Sequence, residues 1–238
     1  MADEVKNQDL TVFVVNFNTT DMTNACIDRV LQHCGNYHFK IVVLDNSTTD
    51  KFVLYSSSDK IKVVDNTKNQ IIDYVKFVEN FCRGNDPGDY ASPKHAAAID
   101  WMISVCPTDD LLILDSDAFL IKDVDFVNDK FCTICEIGDS FGNKRVLPMI
   151  QYINVKSFKE NGLRFYDPHR FRYSLDPRYV LWDTGTCLLY DIVMKRLPIG
   201  QIHMSDYVHH LGGASWEQIR TGKDFAFDRN RKFMEENK

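Results

Sequence analysis

The sequence predicts an α/β fold: a single domain built on a mixed, mainly parallel sheet that is flanked by helices. Three observations lead to this prediction. Four apolar runs in the first half each end at Asn or Asp and then at a small hydroxyl residue, and segments of helical periodicity lie between them. The third is that 238 residues with 44% hydrophobic content can bury a full core. The order strand, helix, strand, helix is typical of a crossover-connected sheet.

The four apolar runs are the predicted strands. Each is rich in β-branched residues and apolar on both faces, which is typical of buried parallel strands. With their polar ends, the four segments are residues 12–19, 41–47, 61–67 and 111–117.

Two predicted helices lie between these strands. Residues 21–34 begin with an Asp and Thr capping signal, and residues 92–105 carry Pro93 in the first turn. From about residue 118 the pattern changes to shorter elements, among them residues 146–155, a loop at 166–179 and an apolar run from residue 180. Because this half contains no repeat and no flexible linker, we expect it to complete the same domain.

Composition excludes several classes of protein. The net charge is −6 and no run of five Lys or Arg occurs, so we expect no nucleic-acid partner. The first residues are acidic and polar, and no stretch approaches 18 uninterrupted apolar residues, so we expect no transmembrane segment. Seven cysteines at irregular spacing fit a reduced chain. We therefore expect a cytoplasmic protein, either free or attached peripherally to a membrane, and the sequence does not predict its oligomeric state.

The most informative strand end carries two carboxylates. Asp115 and Asp117 follow the most apolar run and are two residues apart, so extended backbone directs both side chains to the same side. Carboxylates aimed at one point repel each other unless a cation lies between them, and such oxygen ligands suit Mg²⁺ or Mn²⁺. Polar residues at the other strand ends can also form Asx turns. The sequence therefore predicts ligand binding at the carboxyl edge of the sheet.

These segments resemble the GT-A nucleotide-sugar glycosyltransferases, most nearly the large family 2 group with its bacterial and viral members. The matching stretches are residues 14–34, 42–50, 92–100 leading into the carboxylate pair, and 209–215. The resemblance implies a GT-A domain over residues 1–238. Residues 8–120 would form a Rossmann-like half that binds the nucleotide sugar, and residues 121–238 an acceptor-binding half with a C-terminal tail.

The resemblance also implies roles for individual residues of the first half. Asn16 and Asn18 would line the nucleotide pocket, and either Asp45 or Asn46 would read the edge of the base. Lys94 and His95 would contact the diphosphate or the sugar, because a helix N-terminus and a cation both favour an anion. The predicted donor-binding set is Asn16, Asn18, Asp45, Asn46, Lys94, His95, Asp115, Ser116 and Asp117.

For the metal, Asp117 would be a direct ligand, with Asp115 on the ribose or on the metal through water. His210 would supply a third ligand, with its neighbour His209 as the alternative. The general base stays open, because the sequence lacks the late acidic pair of many inverting members. We favour Asp183, which follows an apolar run, over Asp206, which precedes the two histidines. Asp167, Asp176 or a retaining mechanism without a base are further alternatives.

Taken together, the sequence predicts a metal-dependent glycosyltransferase. It would move a hexosyl or deoxyhexosyl group from a nucleoside-diphosphate sugar, UDP before dTDP or GDP, to a hydroxyl of a glycan or glycoconjugate, with inversion, using Mn²⁺ or Mg²⁺. The alternatives are a catalytically silent nucleotide-sugar or glycan-binding module and a sugar-nucleotide pyrophosphorylase-like enzyme. The chain has no GxGxxG, GxxxxGK[ST], GxSxG or HExxH motif, so dinucleotide oxidoreductases, P-loop NTPases, α/β-hydrolases and zincins have no support.

Overall fold

A computed structural model describes residues 6–49, 51–74, 91–140, 143–173, 183–212 and 235. Nine strands lie within these ranges: β1 (Lys6–Asn16), β2 (Tyr37–Asp45), β3 (Ile61–Asp65), β4 (Asp110–Asp115), β5 (Ala118–Leu120), β6 (Thr133–Ser140), β7 (Asn143–Asn154), β8 (Ile199–Gln201) and β9 (Val208–His210). The α-helices are α1 (Thr20–His33), α2 (Ala91–Val105), α3 (Val155–Glu160), α4 (Pro168–Tyr173) and α5 (Thr186–Lys195). A short 3₁₀ helix covers Met204–Asp206.

Seven strands form one sheet in the order β3-β2-β1-β4-β7-β6-β8. The first four in this order are parallel, β7 runs antiparallel to both β4 and β6, and β8 is parallel to β6. Strands β5 and β9 form a separate antiparallel pair. The predicted α/β fold with a mixed, mainly parallel sheet is therefore confirmed, and strands from both halves of the chain share that sheet.

The register places the polar ends of the predicted strands at one edge. Asn16 pairs with Asp45, Asp45 pairs with Asp65, and Val15 pairs with Asp115. Because parallel strands end on the same side, the four repeated segments converge there. This convergence was predicted from the sequence and is confirmed.

The sheet is covered on both faces. On one face, α1 packs through Met22, Cys26 and Val30 against Val12 and Val14 of β1. On the other face, α2, α3 and α5 pack on residues such as Phe13, Leu111 and Ile113. Adjacent residues of β1 point to opposite faces, so a strand apolar throughout is required wherever helices cover both sides. Within the described ranges, no helix is both long enough and apolar enough to cross a bilayer.

Three local predictions were wrong. Strand β3 is an edge strand whose residues are partly or fully exposed, because nothing pairs beyond it in the sheet. Thr19 is the N-cap residue of α1, but its side chain makes no capping hydrogen bond, since its hydroxyl interacts with Asn16 and Ser116. The loop predicted from residue 166 contains α4, whose first N–H groups are bonded by the Asp167 carboxylate.

Hydrogen bonds to the buried Asp110 hold the sheet together at the end opposite the polar strand ends, where β4 begins. The Tyr152 hydroxyl donates to Asp110 Oδ1 at 2.6 Å, and Gln8 Nε2 donates to Oδ2 at 2.8 Å. Tyr152 is fully buried, and its pKa is raised by burial and by the hydrogen bond to Asp110. These bonds tie β1, β4 and β7 together below the site that lies at their other ends.

We expect Tyr152→Phe to lower the free energy of unfolding by about 1.5–3 kcal/mol, because a buried hydrogen bond to a carboxylate is lost. Urea denaturation of the two proteins measures this difference. Tyr55→Phe is the matched control: its hydroxyl donates to Asp21 at 2.7 Å but is exposed, so its removal should change stability little. Equal losses in both variants would contradict the anchoring role of Tyr152.

Candidate functional site

The site is built around the two carboxylates at the end of β4. Asp115 is the last residue of that strand, and Asp117 lies in the turn that leads to β5. The side chain of Asp115 is 21% exposed and that of Asp117 is 10% exposed, so both are largely shielded from solvent. Ser116, between them, lies with its hydroxyl 3.3 Å from that of Thr19 and so links this turn to the loop after β1.

Strand β9 brings His210 to these carboxylates from more than ninety residues away. In the antiparallel β5/β9 pair His210 lies opposite Ala118, and the Leu211 N–H extends the ladder by donating to the Asp117 carbonyl at 3.0 Å. His210 Nε2 is 3.3 Å from Asp117 Oδ1. His209 is opposite Phe119 and, as the adjacent residue of a strand, points to the other face. The structure therefore places His210, and not His209, beside the carboxylates.

Asp115, Asp117 and His210 each offer one ligand atom, and these atoms lie within 4.8 Å of one another. Burial raises the pKa of Asp115, and the negative charge of Asp117 adds to this, against the opposing effects of His95, His210 and Arg145. Burial would lower the pKa of His210, but the hydrogen bond and charges of the two aspartates outweigh it and raise it. Because metal ligands must be deprotonated, a cation bound here would compete with protons for these groups.

The residues fit a divalent cation. Carboxylate oxygens suit Mg²⁺ and Mn²⁺, whereas imidazole is a better ligand for transition metals, so the mixed set favours Mn²⁺ of the two predicted ions. Three protein ligands would leave the other positions of an octahedral ion to water or to a substrate. His95 lies nearby as a further nitrogen-bearing side chain, with Nε2 3.4 Å from Asp115 Oδ1.

Two basic side chains at the start of α2, Lys94 and His95, lie next to this cluster, and we name them the cationic wall. Both lie in the first turns of α2 and are partly buried. Lys94 Nζ lies 5.6 Å from the centre of the Tyr74 ring, and burial lowers the pKa of Lys94. The Tyr74 hydroxyl in turn donates to the Lys94 carbonyl at 3.3 Å. Tyr74 was not singled out from the sequence, and its contact to Lys94 depends on the fold.

At the ends of β1 and β2, Asn16 and Asp45 bind each other inside the protein. Asn16 Nδ2 donates to Asp45 Oδ1 at 3.0 Å and to Ser47 Oγ at 2.8 Å, and Asn16 Oδ1 accepts from Thr23 at 2.7 Å. Asp45 Oδ2 accepts from the Phe52 N–H at 2.9 Å. Both residues are fully buried. These bonds favour a role in shaping the loops over direct nucleotide contact.

Asn18 and Asn46 lie nearer the surface. Asn18 has a φ of 54°, and its Oδ1 accepts from the backbone N–H groups of Thr48 and Thr49, so it joins the loops after β1 and β2. Asn46 Nδ2 donates to the Tyr74 hydroxyl at 3.0 Å, which connects it to the cationic wall. Nucleotide contact stays a prediction for both, and their position between the two loops and Lys94 is compatible with it.

Comparison with solved structures relates the fold to that of glycosyltransferases. The galactosyltransferase LgtC, solved with donor and acceptor sugar analogs, superposes with a TM-score of 0.51 at 13% identity over 81% of this chain and 73% of its own. A mannosyltransferase from Pyrobaculum calidifontis, PcManGT, solved with GDP-Man and Mn²⁺, gives a TM-score of 0.50 at 13% identity over 97% of this chain and 66% of its own.

The fold is that of the GT-A glycosyltransferases. This confirms the predicted resemblance at the level of fold. No protein-family model matches the sequence, and no curated protein matches it either. The similarity of this chain to GT-A glycosyltransferases is therefore detected in the three-dimensional fold, and the roles of individual residues rest on the geometry of this chain.

In this GT-A fold, the two proposed base residues have very different surroundings. Asp183 Oδ2 pairs with Arg145 Nη1 of β7 at 2.6 Å, and Asp183 Oδ1 accepts from the Thr184 N–H at 2.7 Å. Asp206 is exposed in the 3₁₀ helix, beyond the end of β9 that lies farthest from the carboxylates. Asp167 caps α4 and pairs with Arg164 and Arg170. Asp176 lies outside the described residues.

Arg145 is the functional candidate that the sequence analysis missed. Its guanidinium pairs with Asp183 and its charge also lowers the pKa of Asp115, and its Nε is buried without a hydrogen-bond partner among the described residues. The signal available in the sequence was a charged residue in the mostly apolar strand at 143–154. The pairing of Arg145 with Asp183 depends on the antiparallel position of β7 and on a turn distant in sequence. A local sequence pattern does not reveal either of these.

A glycine makes the Arg145 contact possible. Gly185 has a φ of 88°, and a Cβ built there would lie 2.1 Å from the Val146 carbonyl oxygen. The turn at 183–185 therefore packs closely on β7. The Val146 N–H donates to the Gly185 carbonyl at 3.5 Å, and Arg145 Nη1 donates to the Thr184 carbonyl at 3.4 Å. Helix α5 begins directly after this turn.

We expect Gly185→Ala to lower the free energy of unfolding by at least about 2 kcal/mol, because the methyl group meets backbone and the positive φ is costly for alanine. Thermal or urea unfolding measures the loss. Gly35→Ala is the matched control, since a Cβ there has no atom within 4 Å, and it should stay within about 0.5 kcal/mol of the parent. Unchanged stability in Gly185→Ala would contradict the close packing of this turn on β7.

Proposed function

We propose that this chain is a metal-dependent glycosyltransferase that uses a nucleoside-diphosphate sugar as donor and a hydroxyl group as acceptor. The observation that supports this most directly is the cluster of Asp115, Asp117 and His210 at the carboxyl edge of a GT-A sheet. PcManGT, which shares the fold, was solved with GDP-Man and Mn²⁺. Fold alone does not set chemistry, so the proposal depends on this cluster.

The cluster suits the departure of a diphosphate. A divalent ion held there supplies charge neutralisation for the leaving group. Asp115, Asp117 and His210 would hold that ion, and their fixed positions at the end of β4, in the turn to β5 and on β9 mean that little reorganisation is needed when negative charge develops. Lys94 and His95 would add positive charge from the N-terminal turns of α2, where the helix dipole also favours an anion.

The loops after β1 and β2 would receive the nucleoside. Asn16, Asp45 and Ser47 hold these loops in one conformation from below. Asn18 and Asn46 would face the nucleotide, with UDP favoured and dTDP or GDP next. Residues 8–120 would thus form most of the donor site, to which His210 adds a metal ligand, and the rest of residues 121–238 would serve the acceptor.

For the acceptor, Asp183 is a better candidate than Asp206. Arg145 pairs with Asp183 and its charge also acts on Asp115, which supports a position of Asp183 near the carboxylates of the site. We propose that it takes the proton of the acceptor hydroxyl in an inverting reaction. The Arg145 ion pair fixes the direction of the Asp183 carboxylate, and a carboxylate oxygen retains lone pairs for a further hydrogen bond.

We expect UDP to bind at least about tenfold more tightly with Mn²⁺ than in excess EDTA, because two aspartates and a diphosphate need a shared cation. Isothermal titration calorimetry measures both affinities. In Asp117→Asn and His210→Ala the dependence on Mn²⁺ should be lost or strongly reduced.

Two variants control for the change of residue type. Asp59 and His38 are exposed and distant from the site, so Asp59→Asn and His38→Ala should keep the full effect of Mn²⁺. UDP binding that is equally tight in EDTA and in Mn²⁺ would contradict the proposed metal site.

We expect Asp183→Asn to reduce kcat by roughly a hundredfold or more with the Mn²⁺-dependent affinity for UDP nearly unchanged, because the residue acts on the acceptor. Steady-state kinetics with a hydroxyl acceptor, or with water as acceptor, tests this. Asp206→Asn should keep full activity. The reverse pattern would move the assignment to Asp206, and a rise in the donor KM alone would assign Asp183 to donor binding.

A further inference from the structure

The surface at the C-terminal end of α5 is unusual for its exposed apolar side chains. Of the eight large apolar side chains that are exposed in the described part of the chain, four lie here: Val105, Tyr190, Val193 and Met194. Val193 and Met194 are each 64% exposed, so they protrude from the surface and do not line a groove. They lie on one side of α5, whose other side packs into the core through Leu188 and Ile192.

Cations surround these apolar side chains. Lys195 Nζ donates to the Asn161 carbonyl, and Lys159 Nζ donates to the Ser104 carbonyl at 3.3 Å. These bonds join the ends of α5, α3 and α2 into one continuous surface, which also includes Arg196 and Arg164. We name this surface the α5 corner; it comprises Val105, Lys159, Arg164, Tyr190, Val193, Met194, Lys195 and Arg196.

The charge of the α5 corner is opposite to that of the whole chain. Among residues 104–109, 156–164 and 190–197, five cations are exposed against two acids, Asp109 and Glu160. One of the five, Arg164, also pairs with Asp167 at 3.1 Å. Asp167 and Asp191 are buried, and Arg170 pairs with both and also lies against the Tyr190 ring at 4.6 Å. The chain as a whole carries a net charge of −6. The local excess of positive charge is therefore concentrated where the apolar side chains protrude.

We propose that the α5 corner docks on an anionic lipid membrane. Protruding aliphatic side chains can enter the interface between headgroups and acyl chains, and long cationic side chains next to them can reach anionic headgroups. Tyr190 is a residue type enriched at that interface. Protruding side chains without a surrounding groove fit a fluid lipid surface better than the shaped surface of a protein partner.

The location of the corner leaves the candidate site accessible. Helix α2 ends at Val105 immediately before β4 begins, and α5 runs away from the turn at 183–185, so the corner lies toward the edge of the sheet opposite Asp115 and Asp117. A chain docked in this way presents its cleft to water, where a soluble nucleotide would arrive. The inference does not depend on the proposed transferase activity.

Co-sedimentation with vesicles tests this proposal. The full chain should bind vesicles of phosphatidylcholine with 30% phosphatidylglycerol and not those of phosphatidylcholine alone, and binding should weaken steeply as salt is raised. Lys195→Glu/Arg196→Glu should weaken binding to the anionic vesicles at least about tenfold, because two attractive charges become repulsive. Val193→Glu/Met194→Glu should also remove binding.

Matched variants elsewhere separate docking from non-specific effects. Lys62 and Val53 are exposed on other parts of the surface, so Lys62→Glu and Val53→Glu should bind vesicles as the parent does. All variants change exposed residues, and unchanged circular dichroism and thermal unfolding would verify their folding. Equal binding to both kinds of vesicle, or no effect of the α5-corner variants, would overturn the proposal. A concentration-dependent dimer that Val193→Glu/Met194→Glu abolishes would instead assign the surface to a second copy of the chain.

Discussion

The structure depends most on the close approach of Asp115 and Asp117 at the end of β4. Two carboxylates within reach of one point repel each other, and the fold gathers positive or protonatable groups around them: His210 from β9, His95 from α2 and the charge of Arg145 from β7. Each of these comes from a different element. The β5/β9 pair, the first turns of α2 and the turn at Gly185 thus bring groups that reduce the repulsion between the Asp115 and Asp117 carboxylates. A divalent cation bound between the two carboxylates would reduce it further.

The repeated strand ends show how one local pattern serves two purposes. Asp45 and Asp65 accept hydrogen bonds from the N–H groups of Ser47 and Thr67, which is the Asx-turn alternative considered for every copy. Asp115 has no such bond among those of the described residues and faces His95 instead. The sequence predicted the shared edge correctly, because strand ends follow from local hydrophobic pattern. It singled out Asp115 and Asp117 but expected Asp45, or Asn46 in its place, to read the base, because the turn that Asp45 forms with Ser47 and its bond to Asn16 depend on how the loops fold.

The same reasoning explains which parts of the site were predicted. Asp115 and Asp117 follow directly from their strand, and His210 over His209 needed the β5/β9 register. Arg145 and the packing of Gly185 were missed, because they arise where an antiparallel strand meets a turn forty residues later. The carboxyl ends of the first four strands of the sheet and both ends of α1 and α2 were predicted closely, whereas β1 and β2 begin several residues before the predicted runs, at Lys6 and Tyr37. The edge position of β3 and the helix α4 were not, because strand order and short capped helices are decided by tertiary contacts.

A crystal structure with Mn²⁺ and UDP, recorded with anomalous scattering near the manganese edge, tests the central claim most directly. The account predicts one strong anomalous peak within coordination distance of Asp117 and His210, with Asp115 beside it and diphosphate oxygens completing the ion's ligands. The Asp117→Asn protein should lack this peak. A manganese peak elsewhere on the molecule, or UDP bound at the carboxyl edge with no metal near these three residues, would contradict the account.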